Sequence, residues 1–195
     1  MTRKLKLILP TGASAVRELR AGDTLLLSGS ILTARDRAHQ WLAEEKPENM
    51  HALLSGGALY HCGPIMLRQD NRWICKAAGP TSSLRQEAFM ATIICEYGIR
   101  CIIGKGGMGE ASAEALRQYG AVYCSAVGGA AVLYANAVES VEKVFRLEDF
   151  GMPEALWLMH IRDFPVMVSM DAQGNSLYRD VEAQSRRQYR GISKP

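Results

Sequence analysis

Short apolar runs alternate along the chain with stretches whose apolar positions fall at helical spacing. Residues 5–9 and 24–28 read as strands, separated by a short helical turn over 16–19 and a Gly22-Asp23 turn. Ala38, His39, Trp41 and Leu42 follow at helical spacing, with Thr33 placed to cap that helix and Asp36 to complete an acidic variant of the capping box. Residues 46–54 are polar, contain Pro47, and read as a connection. Strands are predicted at 58–62 and 73–78, joined by a polar turn at Gln69-Asp70-Asn71. The segment Gly79-Pro80-Thr81-Ser82-Ser83 then leads into a helix that is predicted to present Leu84, Ala88, Ala91, Ile94 and Cys95 on one face. Strand and helix alternate again through 101–103, 113–119, 121–124 and 130–137. The last third is richer in strand, with candidates at 141–145, 157–161 and 165–170, and a turn at 171–175 into residues 176–178. Beyond Arg179 the chain is polar and basic and is expected to fray. Such alternation predicts an α/β fold, a sheet with helices packed on it.

Composition narrows this picture. The 195 residues suit one domain, expected over 1–180 with a polar basic tail at 181–195. With 48% hydrophobic and 22% charged residues the chain is of the soluble globular class, not disordered or fibrous. A net charge of +3 does not select nucleic acid as a partner. The longest apolar stretches, 88–95 and 128–135, fall short of the roughly 20 residues a membrane span needs. The N-terminus lacks the pattern of a signal peptide, so a cytoplasmic location is expected. Cys62, Cys75, Cys95, Cys101 and Cys124 form no C-x-x-C, which indicates neither a disulfide framework nor a metal site.

Chemistry concentrates at the junctions between strands and helices. Gly104-Lys105-Gly106-Gly107-Met108-Gly109 follows the apolar residues 101–103 and precedes a helix, a setting in which exposed amides and Lys105 suit an anion. Gly104, Gly106 and Gly109 spell G-x-G-x-x-G, yet no Asp or Glu between Glu114 and Glu139 is available to bind a ribose, and a Walker loop fails for lack of a following Ser or Thr. A nucleotide-binding or regulatory module that uses this loop stands as the reading from another class. A tight turn with no ligand is the plain alternative.

Two further junctions carry cations, Arg35 in Thr33-Ala34-Arg35-Asp36 and Arg85 after the 79–83 segment. An arginine in the first turn of a helix opposes the macrodipole, so helix stability does not explain either. Together with Lys105 they would make a clamp for a small dicarboxylate, the forks of arginine suiting carboxylates. Thr81 and Ser82 are placed to cap free amides, and a threonine becomes a base only where cations or a relay help it. His39 and His61 are acid–base candidates, with His39 equally suited to packing inside its helix. His51 and His160 have no chemical company in sequence, and metallohydrolase and serine-hydrolase motifs are absent.

Ser28-Gly29-Ser30 with Thr33 to His39, Tyr60-His61-Cys62-Gly63-Pro64, Gly79 to Arg85, Gly104 to Gly109, Gly151-Met152-Pro153-Glu154 and Gly174-Asn175-Ser176-Leu177-Tyr178 occur in this order. From about residue 5 to 179 the chain resembles the β subunit, equivalent to the C-terminal domain, of iron-sulfur class I fumarate hydratases and L(+)-tartrate dehydratases. The resemblance implies a swivelling β/β/α domain that pairs with an α subunit carrying a [4Fe-4S] cluster, in a hetero-oligomer such as α2β2. It implies reversible loss of water from a 2-hydroxy dicarboxylate, malate to fumarate ahead of tartrate. Carried over residue by residue, Thr81 is the catalytic base, and Arg35, Thr81, Arg85 and Lys105 bind substrate. Ser82 stands where many members have a second threonine, and with His39, Gly104 and Gly106 completes the candidate set.

Overall fold

The structure, a computed structural model, describes residues 3–192. Strand β1 (Lys4–Leu9) is followed by the short α1 (Ala13–Arg17), β2 (Thr24–Ala34) and α2 (Asp36–Glu45). A 3-10 turn (Glu48–Met50) enters α3 (His51–Leu54), then β3 (Ala58–His61) and a hairpin of β4 (Ile65–Gln69) and β5 (Arg72–Ala77). Another 3-10 turn (Ser83–Gln86) leads into α4 (Glu87–Tyr97), β6 (Cys101–Gly104), α5 (Glu110–Tyr119) and β7 (Val122–Ser125). The remainder is α6 (Ala131–Asn136), β8 (Val138–Phe145), α7 (Leu147–Phe150), β9 (Leu156–Met170) and α8 (Leu177–Ile192).

The main sheet is mixed. Strands β1, β2, β3, β6 and β7 are parallel neighbours in that order, and β9 runs antiparallel to β7, β8 and β2. Because β9 pairs with both β7 and β2, five strands close into a ring, with β1 and β8 flanking it. Successive side chains of a strand point to opposite faces, so each ring strand feeds two cores. Leu25, Leu27, Ile31, Tyr60, Ile103, Trp157, Phe164 and Val166 fill the inner one. Leu32, Leu59, Ile102, Tyr123 and Leu158 face outward and are covered by Ala38, Leu42, Met90, Ile94 and Leu116 of α2, α4 and α5. This is the expected α/β arrangement of a sheet with packed helices. No helix among the described residues is long and apolar enough to cross a membrane.

Several local expectations are corrected. The two strands predicted at 157–161 and 165–170 are one, β9, bent where its register against β2 shifts between Leu27 and Gly29. Asp163 sits there at φ 47°, with its backbone N–H donating to Ser28 Oγ at 3.0 Å, so the polar Arg162-Asp163 pair marks a bulge and not a strand end. The Asp70-Asn71 turn belongs to a hairpin whose first strand, β4, the pattern did not reveal; both residues have positive φ, which suits a two-residue turn. Residues 46–54, read as a connection, contain a 3-10 turn and α3. Helix α4 buries Met90, Ile93, Ile94 and Tyr97, while Ala88 and Cys95 of the expected face are exposed and Leu84, in the preceding turn, is 62% exposed. Apolar residues lie almost all round α4, so spacing alone did not select the buried side. The expected fraying beyond Arg179 is replaced by helix, since α8 continues to Ile192; residues 193–195 of the expected tail lie outside the described residues.

Candidate active-site edge

Parallel pairing brings the junctions together. Ala34 of β2 lies opposite His61 of β3, and Tyr60 lies opposite Ile103 of β6, so Arg35, Cys62 and Lys105 leave the sheet at one edge. The 80–83 segment threads across that edge. Thr81 N–H donates to His61 O at 2.7 Å, Lys105 N–H to Thr81 O at 3.2 Å, and Ser83 N–H to Lys105 O at 2.9 Å. Four backbone segments are therefore fixed side by side at the carboxyl ends of the parallel strands.

Arg35 is the N-cap residue of α2, with no side-chain cap bond, and its side chain is 26% exposed. Thr33, predicted as the cap, lies instead within β2, buried, its Oγ1 accepting from Trp157 N–H at 3.0 Å. Glu154 takes over the end of the helix. Its carboxylate accepts from Arg37 N–H at 3.0 Å and stands 3.5 Å from Arg35 Nε. Gly63 lies flush against the Arg35 side chain, where a Cβ would overlap Cδ, so the HCGP and GMPE segments together shape the slot that holds this arginine.

Arg85 is half-exposed and ion-paired with Asp36 at the start of α2, whose second carboxylate oxygen accepts from Gln86 Nε2 at 2.6 Å. Thus the first and second cationic junctions touch directly. Lys105 is exposed and has no ion pair among the described residues, its stem passing beside Gly128. The expected capping by Thr81 or Ser82 does not occur: Ser82 is the N-cap residue of its turn without a side-chain cap bond. Thr81 is half-buried and makes no side-chain hydrogen bond among the described residues. Its backbone is held at the edge between His61 and Lys105.

The glycine loop already holds an anion, and it is internal. Glu87, the first residue of α4, accepts from the backbone N–H of Gly109 at 2.7 Å and of Ser112 at 3.1 Å, and from Ser112 Oγ at 2.7 Å. A Cβ on Gly109 would stand 2.7 Å from that carboxylate, which is why glycine is needed there. Two of the amides that a nucleotide phosphate would use at the start of α5, those of Gly109 and Ser112, are thus taken by a carboxylate. Gly104 is buried, and a Cβ there would overlap Ser83 Oγ; Gly106 is exposed on the rim of a cleft with Leu84, Met108, Tyr178 and Arg179.

Behind the edge, His39 and His61 are fully buried and meet edge to face, with ring centroids 4.7 Å apart. Burial pushes His39 down to about 4, and burial with the neighbouring ring pushes His61 well below its ordinary value, so both are neutral. His51 lies apart, against Tyr97 and Glu96, and His160 sits on β9 beside Glu139 and Glu142. Glu87, Ser83, Tyr123 and Glu154 build the edge without having been named as site residues from sequence; Ser83 and Glu154 lie in the quoted 79–85 and GMPE segments, while nothing in sequence marked Glu87 or Tyr123.

The residues present do not fit an iron-sulfur cluster. Cys62, Cys101 and Cys124 are buried in the inner core. Burial raises the Cys62 thiol, a Cys101 hydrogen bond and burial raise Cys124, and burial lifts Cys75 to about 11. Cluster ligation requires thiolates, which these environments oppose. Among the described residues no group of three His, Cys, Asp or Glu side chains is disposed to hold a metal.

Residues 2–181 match the family model described as Fumarase C-terminus. A Geobacillus stearothermophilus protein bearing the name class I fumarate hydratase is 44% identical over 185 residues, covering 94% of this chain and 35% of that relative. The L(+)-tartrate dehydratase subunit beta of Escherichia coli K12 is 37% identical over 172 residues, covering 88% of this chain and 85% of the relative. A Methanocaldococcus jannaschii protein that bears the same subunit name is 40% identical over 169 residues, covering 85% and 87%. This chain therefore spans about a third of the Geobacillus relative, at 35%, and most of each β subunit. With its junction motifs gathered on one edge of a ring of strands, and nearly its whole length matched, the chain belongs to the Fumarase C-terminus family, as a domain of the β-subunit type.

Proposed function

We propose that this chain is the β subunit of a hydro-lyase that reversibly removes water from a 2-hydroxy dicarboxylate, malate to fumarate, together with an α partner that holds a [4Fe-4S] cluster. Residues 1–180 form the catalytic unit in this reading. One observation carries it: Arg35, Thr81, Arg85 and Lys105 issue from backbone segments hydrogen-bonded or ion-paired at a single edge, with Lys105 free of a carboxylate among the described residues.

Elimination breaks the Cβ–H and C–O bonds; the C–H electron pair becomes the new π bond, and hydroxide departs to be protonated as water. The departing hydroxyl and the cluster belong to the partner's side of the site. On this side Arg35 and Arg85 grip a carboxylate through their planar forks, each pre-oriented by an acid, Glu154 and Asp36. Thr81 Oγ1 takes the Cβ proton, and the charge of Lys105 favours both the alkoxide form of Thr81 and the negative charge that grows on substrate.

Reconstitution with the α partner under anaerobic conditions is the test. The complex is expected to dehydrate malate, this chain alone to be inactive, and Arg85→Ala to lower kcat/KM by about tenfold or more. Unchanged kcat/KM in Arg85→Ala would overturn the clamp. The 37% and 40% identities to proteins named as tartrate dehydratase β subunits support a second reading, tartrate as substrate, which a substrate panel on the same complex separates. For the nucleotide-binding alternative, tight binding of NAD or ATP by this chain would be decisive; the Glu87 carboxylate at the start of α5 argues against it.

A further inference from the structure

Two hydrogen-bond chains run toward the buried histidines from opposite sides of the edge. The first starts at the glycine loop: the Gly107 amide lies beside the Tyr123 phenol oxygen, Tyr123 O–H donates to Ser83 Oγ at 2.8 Å, and Ser83 Oγ stands 2.9 Å from His61 Nδ1. Tyr123 and His61 are the partners of Ser83 Oγ among the described residues; because Tyr123 donates to it, the Ser83 proton has His61 Nδ1 as its acceptor, and a neutral ring then carries its hydrogen on Nε2. The second chain starts at Arg35, whose carbonyl oxygen lies 2.7 Å from His39 Nδ1. A carbonyl only accepts, so His39 carries its hydrogen on Nδ1 and presents a bare Nε2.

Both Nε2 atoms are buried and have no hydrogen-bond partner among the described residues. One is a donor and the other an acceptor, in rings that meet edge to face. An unpartnered polar atom in such a place is costly, so what fixes each ring is the hydrogen bond at its Nδ1 and the edge-to-face contact between the two rings.

We propose that His39 and His61 form a neutral pair of opposite tautomers, a positioning device that links the glycine loop through Tyr123 and Ser83 to the backbone of Arg35, and so sets Arg35 and the Thr81–Ser83 segment in register. Its catalytic consequence rests on the hydro-lyase reading above; its tautomers do not. The pair touches no substrate: it acts through the two segments that do.

Long-range 1H–15N spectra of the histidine rings in this chain, at about pH 7.5, are the direct test. The expected spectrum shows His39 protonated on Nδ1 and His61 on Nε2, and Ser83→Ala turns His61 into a tautomer mixture. The same tautomer on both rings, or a charged ring, overturns the pair. In the reconstituted complex His39→Leu is expected to raise the KM for malate about tenfold while kcat stays within about twofold, and His39→Asn, whose amide N–H reproduces the Nδ1 donor, to restore KM. Equal loss of kcat in both variants, or no change in either, overturns the positioning role. Correct tautomers with a wild-type complex that dehydrates no dicarboxylate would instead refute the functional reading and leave the pair standing.

Discussion

Glu87 caps a helix to which it does not belong: from the first residue of α4 its carboxylate accepts the backbone N–H of Gly109 at 2.7 Å, 22 residues on, at the start of α5. Charge-assisted bonds of this kind contribute about 1.5–3 kcal/mol, and leaving partly buried amides unpaired adds to the loss. Glu87→Ala should lower the free energy of unfolding by roughly 2–3 kcal/mol, read from urea midpoints, with Glu87→Gln losing less. A change within experimental error would mean that water satisfies these amides equally well.

Lys105 offers the opposite expectation. It is exposed and has no ion pair among the described residues, so Lys105→Met should leave stability within about 0.5 kcal/mol. On the hydro-lyase reading proposed above, in which Lys105 stabilises the negative charge growing on substrate, kcat/KM of the reconstituted complex should fall by about 100-fold. Stability loss without kinetic loss would reverse the assignment.

Acid should unfold the chain through its buried histidines. His39 is held at about 4 against its ordinary 6.5, and His61 is also held well below 6.5, both chiefly by burial. The unfolded chain binds protons at these rings as the pH falls past 6.5 while the folded chain does not, so stability present above pH 6.5 is lost toward pH 4. Asp36 faces His39 and favours its charged form without outweighing burial. Asp23, held low first by its hydrogen bond to Arg3, adds a loss below its ordinary 3.8. Urea midpoints measured from pH 8 to about 4 should decline, and less steeply in His39→Asn. A flat wild-type profile would contradict the burial of neutral rings.

The inner core predicts a large effect from one ring. Phe164 is fully buried and packs against Tyr134 and Tyr60 at centroid distances of 4.7 and 5.4 Å. Phe164→Ala should cost about 3–5 kcal/mol, because the surrounding strands are tied into the ring and cannot collapse into the space. Calorimetry would show whether the loss is smaller and the ring softer than its pairing suggests.

The junction cations were legible in sequence because charge type and neighbouring Gly, Ser and Thr survive without a fold to read them. Strands with buried cores were legible too, as at Leu25 and Leu27 or Ile102 and Ile103. What escaped was relational. Nothing near Glu154 announces that its carboxylate serves Arg37, 117 residues away, and nothing near Glu87 announces Gly109. The wrong face was chosen for α4 because Phe89, Met90, Ala91, Ile93 and Ile94 leave its polarity nearly uniform, and contact with α2 and α5 settles the matter. One strand was split in two at Arg162-Asp163, since a bulge and a strand end share the same polar signature.

That bent strand carries a consequence for the order of events during synthesis. A chain extruded from its N-terminus can pair β1, β2, β3, β6 and β7 as they emerge, but β2 and β7 each keep an unpaired edge until β9 arrives. Open edges of apolar strands invite other chains. Until β9 is made, the strands that precede it therefore form an incomplete sheet, and β9 shuts the seam.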